Sequence, residues 1–135
     1  ITGLYTVLVE GDDMDDPIGD AVRSIVDGHI VLERSLAQKG HYPAVDVLQS
    51  TSRVMRNVVT TEHLQWARFI RENLAVYREA EDLINIGAYK AGSNPRIDQA
   101  VRLQPLVDEF LRQEIGEACD FETTSEIMAR ICGTG

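Results

Sequence analysis

Arg53 and Tyr42 are the side chains whose type and setting first suggest chemistry. Arg53 stands just past a short apolar run, Ala44 to Leu48, and open α/β sheets place their reactive groups at such strand ends. A guanidinium is always charged and donates in a rigid fork that suits phosphoryl oxygens. On residue type alone, however, an arginine is most often solvated surface. Tyr42 precedes Pro43, which limits the backbone beside it. By type alone it reads as a half-buried tyrosine with a wet hydroxyl. Spacing settles neither residue.

The other candidates weaken on inspection. Glu10 to Asp16 holds five acids in seven residues, which raises the question of a divalent cation. The run lacks the alternating ligands, central glycine and distal glutamate of a calcium loop. A solvated loop whose carboxylates complement the start of the next helix is the better reading. His29, beside an apolar run, reads as a packed and hydrogen-bonded histidine. Cys119 and Cys132 are too far apart for a CxxC or a metal site and read as reduced thiols. Lys90 and Arg96 flank a Gly/Ser/Asn turn and read as solvated. A nucleotide hydrolase also needs a G-x-x-x-x-G-K-[ST] phosphate cradle, and no Gly-Lys pair occurs anywhere in the chain.

The elements that must position these residues divide into two kinds. Gly3 to Val9 is a near-continuous apolar run, expected as a parallel-sheet strand covered on both faces. A helix is expected over 18–26, with Ile18, Val22 and Ile25 on one face, ended by Asp27-Gly28. His29 to Leu32 reads as a strand, Glu33 to Lys39 as a short helix closed by Gly40, and Ala44 to Leu48 as a brief strand. After Met55 the character changes, and no strand alternation appears between Val59 and Arg130. Trp66, Phe69, Ile70, Val76, Tyr77, Ala80, Leu83 and Ile84 recur at helical spacing, with Thr60 or Thr61 as cap and Gly87 as stop. This stripe is core. A second long helix, Arg96 to Gln113, should turn Ile97, Ala100, Val101, Val107, Phe110 and Leu111 inward, and Pro105 should kink or divide it near Leu103. A last helix over 124–131 has Thr124 or Ser125 as its cap. The fold class is therefore α/β followed by all-α, with the boundary at 58: residues 1–58 close a sheet domain and residues 59–135 form a helical bundle.

Composition excludes several classes. The 135 residues carry a formal net charge of -9, and eight acids against one arginine fall within the first 33 residues. That balance argues against nucleic acid or anionic membrane bound through a basic patch, so no nucleic-acid partner is expected. No signal peptide or apolar run of membrane-spanning length is present, and a cytosolic protein is expected. The opening Ile1-Thr2-Gly3 suggests a piece of a longer protein.

Beyond the single residues, Tyr42-Pro43-Ala44-Val45-Asp46 followed by Ser50-Thr51-Ser52-Arg53 resembles the catalytic-domain end of the rotary-type ATPases. Val9-Glu10-Gly11-Asp12-Asp13-Met14, Asp27-Gly28-His29-Ile30-Val31-Leu32, Ile86-Gly87-Ala88-Tyr89-Lys90 and Gly92-Ser93-Asn94-Pro95 narrow this. Together they resemble the export ATPases of flagella and type III secretion systems, over nearly the whole chain, with the flagellar form favoured. The resemblance implies the end of a RecA-like P-loop ATPase domain followed by the C-terminal helical domain, in a protein about three times longer. It implies ATP and Mg2+ as cofactors, bound mainly by a part outside these residues, so that the chain alone should not hydrolyse ATP. It implies Arg53 as the arginine that reaches the neighbouring subunit's active site, and Tyr42, held by Pro43, as the adenine-stacking tyrosine. Phe121 falls in the loop after the second long helix, where those ATPases place a second adenine-pocket aromatic, although a core phenylalanine is the plainer reading. Ile115 stands where the ATP synthase relatives commonly carry an aromatic.

The same resemblance implies a homohexameric ring, cytoplasmic and peripheral at the inner-membrane base of an export apparatus. Its partners would be a central stalk protein, a stator or regulator, and the chaperones and substrates being exported. In the ring ATPases the acidic loop after Val9 faces the central shaft, and the turn at Ala88 to Asn94 meets the stalk. Two other readings stand beside this one: an ATP synthase-type subunit, and a non-catalytic module that binds a stalk or chaperone through its helices.

Overall fold

The structure is a computed structural model that describes residues 1–9 and 17–133. Its elements run α1 (Pro17–Ile25), β1 (Gly28–Leu32), α2 (Arg34–Gln38), β2 (Val45–Ser52), α3 (Met55–Val58), α4 (Thr61–Asn85), α5 (Pro95–Leu111) and α6 (Phe121–Gly133). Among the described residues β1 and β2 form a two-stranded antiparallel sheet. The acidic run 10–16 lies outside the described residues.

Residues 1–9 are not a strand. The two strands present pair only with each other, so an extended apolar run there has no ladder to join. Leu4, Tyr5 and Leu8 are correspondingly exposed, as are Ile25, Ile30 and Leu32. This half of the chain therefore leaves several large apolar side chains exposed.

Local chemistry explains the helical half. Thr60 caps α4 by accepting from the His63 amide, and Asn94 caps α5 by accepting from the Arg96 amide, with Pro95 in the first turn. Gly40 and Gly87 both adopt a φ of 70° after helix ends, a conformation that an L side chain rarely takes. Pro105 neither divides nor ends α5, which runs unbroken through it. The proline sits on the solvent side, and the carbonyl it frees belongs to Val101, which is 38% exposed, so water can satisfy it. Asp120, not Thr124 or Ser125, caps α6. Its carboxylate accepts from the Thr123 amide at 2.8 Å, and that bond holds the Asp120 carboxyl below its ordinary value.

The core lies between α4, α5 and α6. Ile70, Val107, Met128 and Ile131 are buried, with Trp66, Phe69, Phe110, Leu111 and Ile127 against them. Leu103 and Val107 are the largest side chains fully enclosed. The inward stripe of α5 is Ala100, Leu103 and Val107, one position round from the expected Val101. Leu83 likewise turns outward, at 49% exposed.

Candidate functional site

The end of β2 sets the position of Arg53. Asp46 pairs with Val31 and Thr51 pairs with His29, so residues 47–50 stand opposite Ile30 alone. This wide bulge restarts the ladder at Thr51 and Ser52, and Ser52 pairs with Gly28. A Cβ on Gly28 would sit 2.8 Å from the Thr51 carbonyl oxygen, so only glycine allows the strands to meet so closely. The Arg53 amide then donates to the Asp27 carbonyl at 2.8 Å. Its exposed guanidinium reaches back to the last turn of α1, donating to the carbonyls of Arg23 at 3.2 Å and Ser24 at 3.4 Å. The fork thus caps a helix C-terminus, where cations are favoured. His29 is hydrogen-bonded, with Nε2 3.1 Å from the Gln49 carbonyl oxygen, in keeping with a packed histidine.

Tyr42 stands at the other end of β2. It is 58% exposed, the Tyr42–Pro43 peptide is cis, and its carbonyl accepts from the Gln113 amide at 2.9 Å. That bond ties the tyrosine to the start of the loop that leads into α6. Phe121 is the first residue of α6, not part of the loop, and is 61% exposed rather than core. Its ring stacks on His63 with centroids 4.9 Å apart and planes 15° apart. His63 is buried, and its Nδ1 lies 3.1 Å from Ser125 Oγ. Because Ser125 Oγ gives its proton to the Phe121 carbonyl at 2.9 Å, it accepts from His63, so Nδ1 carries a hydrogen. Tyr42 and Phe121 are thus both more than half exposed, and Ile115 in the loop before α6 is fully exposed. No ring contact joins Tyr42 to Phe121 among the described residues. Arg53 joins neither, being separated from Tyr42 by the length of β2.

A second group, absent from the sequence reading, holds the bulge. Asp46 is 2% exposed. Its carboxylate accepts from the amides of Leu48 at 2.9 Å and Gln49 at 3.1 Å, from Gln49 Nε2 at 2.9 Å and from Arg78 Nη1 at 3.0 Å. Burial pushes this carboxyl up, but the Arg78 and Gln49 hydrogen bonds and the Arg78 charge outweigh it, so it titrates below the usual aspartate value. Arg71 donates to the carbonyls of Val47, Leu48 and Ser50. Two signals were legible: Asp46 is the one acid in an otherwise apolar run, and Arg71 and Arg78 are seven apart, on one face of a helix.

Two family models match, one for each half. Residues 59–130 match the T3SS EscN ATPase C-terminal domain, and residues 1–52 match the nucleotide-binding domain of the ATP synthase alpha/beta family. The chain belongs to the EscN-type ATPase C-terminal domain family. The flagellum-specific ATP synthase of Bacillus subtilis (strain 168) is 52% identical over 133 residues, 98% of this chain and 30% of that protein. The assembled ATPase EscN of the enteropathogenic E. coli type III secretion system superposes with a TM-score of 0.90 at 46% identity, covering 94% of this chain and 31% of that one. EscN in complex with its central stalk EscO gives 0.80 at 45% identity over 85% of this chain and 28% of that one. The chain thus spans about 30% of the length of the curated relatives it matches. The match of the first part to a nucleotide-binding domain and of the second to an ATPase C-terminal domain is consistent with the expected end of a sheet domain followed by a helical one. Among the described residues no helix is long and apolar enough to cross a membrane, and no cluster of His, Cys, Asp or Glu could hold a metal ion.

Proposed function

We propose that the chain is the C-terminal part of a cytoplasmic ATPase that energises protein export through a flagellar or type III secretion apparatus. In this reading it works as a ring of identical subunits, and each copy serves two nucleotides. Tyr42 and Phe121 offer flat, exposed faces to the adenine of one ATP, while Arg53 reaches the phosphates held by the adjacent subunit. The observation that supports the reading is their placement: Tyr42 precedes β2 and Arg53 follows it, so the flat ring and the guanidinium stand at opposite ends of one strand.

Each residue has a defined task. Stacking needs a flat ring held still, and the Gln113 bond at Tyr42 and the His63 stack at Phe121 supply that. A guanidinium delivered in trans stabilises charge developing on the transferred phosphoryl group, an effect of about 10³–10⁵ in kcat. The chain has no Gly-Lys phosphate loop, and its described residues offer no Mg2+ ligand set. In this reading the phosphate cradle and most of the Mg2+ site are assigned to the remainder of the full-length protein. The turn at 88–94, braced by Asp98 against the Tyr89 hydroxyl at 2.8 Å and the Gly92 amide at 3.1 Å, is the end that meets a central stalk. A stator or regulator, export chaperones and their substrates complete the partners.

Mixing two defective full-length variants, at ATP too dilute to fill the weakened site, tests the two-site reading. Arg53→Ala should abolish turnover with nucleotide affinity largely intact, and Tyr42→Ala should weaken ATP binding. In mixed rings, the site formed by a Tyr42-intact copy and an Arg53-intact neighbour is whole, so turnover should reappear. Mixed rings as inactive as either parent would place both residues in one site and sink the proposal.

A further inference from the structure

We propose that Arg71 is the positioning residue for Arg53: by gathering the carbonyls of the β2 bulge, it fixes how far the finger extends and ties that reach to α4. The inference rests on the reading of Arg53 as a trans-acting arginine, and it assigns a role to a residue that touches neither nucleotide nor Arg53.

The bulge is the weak point of the strand. Four residues, 47–50, face Ile30 alone, so their main-chain groups cannot all find partners in the ladder. The donors are met from within, since the Asp46 carboxylate takes the Leu48 and Gln49 amides. Ser50 closes the turn, its hydroxyl donating to the Asp46 carbonyl at 2.6 Å and accepting from the Val31 amide at 3.0 Å. The acceptors are met from outside by Arg71, whose Nη1 reaches Val47 O and, at 3.2 Å, Ser50 O, while Nη2 reaches Leu48 O at 3.1 Å. Two turns further along the same face of α4, Arg78 closes on Asp46 at 3.0 Å. A third tie, Lys39 to Glu81 at 3.1 Å, joins an exposed lysine to a half-buried glutamate at the surface and contributes little.

Only Thr51 and Ser52 separate the last of those carbonyls from Arg53. If the bulge relaxes into the ladder, the register after it slides by up to three residues, roughly 10 Å at about 3.3 Å per residue. A catalytic group tolerates about 1 Å of misplacement before rate falls steeply. The shape of the bulge is thus the ruler for Arg53, and Arg71 holds it. Three carbonyls at separate points need a planar fork with several donors, which a lysine ammonium on a flexible stem does not supply. Because α4 is one unbroken helix of 25 residues, about 37 Å long at 1.5 Å per residue, a tilt of its far end at Asn85 is passed to the bulge through Arg71 on the carbonyls and Arg78 on Asp46.

The test is a double-mutant cycle in the full-length, ring-forming protein. Arg71→Ala should lower kcat for ATP by roughly 10- to 100-fold, with KM within about twofold and ring assembly unchanged. Arg71→Lys should not rescue it. Combined with Arg53→Ala, it should add no further loss, because a misplaced finger and an absent finger are equivalent. Should Arg71→Ala fail to assemble, Arg71→Gln, which keeps one amide donor, takes its place in the cycle with a smaller loss. Losses that multiply, or a rise in KM with kcat preserved, would overturn the positioning role while leaving Arg53 as the finger. An unchanged kcat in Arg53→Ala alone would instead remove the finger itself and the inference with it.

Discussion

Replacing Asp46 gives the most direct measure of how firmly the bulge is held. Four hydrogen bonds converge on its carboxylate, two from main-chain amides, one from Gln49 Nε2 and one from Arg78. Asp46→Asn keeps an oxygen for the Leu48 and Gln49 amides but loses the charge and sets a donor against both Gln49 Nε2 and Arg78. Arg78 is 44% exposed at its side chain, so it can turn to water, and the ion pair is worth less than a fully buried one. Weakening two charge-assisted bonds and dropping two whose donors can turn to water should cost about 2 kcal/mol; Asp46→Ala, which orphans both amides, should cost about 3–4 kcal/mol. Hydrogen exchange over residues 46–53 of the full-length protein reads this locally: protection should fall roughly 30-fold for Asn and several hundred-fold for Ala, at 1.4 kcal/mol per tenfold. The Asp46 carboxyl titrates below its ordinary 3.8 in the folded protein. Its contribution is therefore complete above that value and lost as pH falls through the lower folded one. After correction for intrinsic exchange, wild-type protection should drop in that acid window, and Asp46→Asn should show no such step. Equal protection in wild type and Asp46→Ala would refute the claim that Asp46 holds the bulge.

Other positions give independent checks. Gly28→Ala should push Thr51 and Ser52 away from β1, since its Cβ would meet backbone oxygen at 2.8 Å; kcat should fall with little change in melting of the helical half. Leu103→Ala empties a fully enclosed site beneath α4 and α5 and should cost about 3 kcal/mol in chemical denaturation, with most of the loss in the helical half.

The two long helices and the stops at Gly40 and Gly87 were legible because their signals are local, whereas the start of α6 at Asp120 was misplaced. Thr60, Gly40 and Gly87 act through the backbone within a turn of themselves, so no knowledge of the fold is required to place them. The first apolar run was misjudged because a strand is not a local object: residues 3–9 carry the right residues, but a ladder needs a neighbour. Pro105 was overweighted for a related reason. Its penalty depends on whether the freed carbonyl meets water or core, which only the helix's orientation decides. At the candidate site, Arg53 and Tyr42 were found by likeness to a family motif, while Arg71 was invisible to that approach. An arginine that bonds main-chain carbonyls leaves no partner side chain in the sequence to betray it.

The docking of Arg53 on α1 bears on how such a finger would work. Its two guanidinium bonds, at 3.2 and 3.4 Å to helix carbonyls, are long and exposed, and bonds of that kind contribute about 1 kcal/mol or less each. They are strong enough to favour one side-chain direction and weak enough to be exchanged for a phosphate oxygen, where charge-assisted pairing is stronger. The main chain beneath is different: the Arg53 amide is fixed to Asp27, and the bulge behind it is held through Arg71 and Asp46. Under the proposed reading, the side chain can therefore swing from the end of α1 to a neighbour's nucleotide without disturbing the strand that carries it. What limits catalysis is then the placement of the Arg53 backbone, not release of its side chain. That asymmetry is why substitutions at Gly28 or Arg71 should lower kcat, whereas changes at the α1 carbonyl end, which only park the guanidinium, should leave it nearly unaltered.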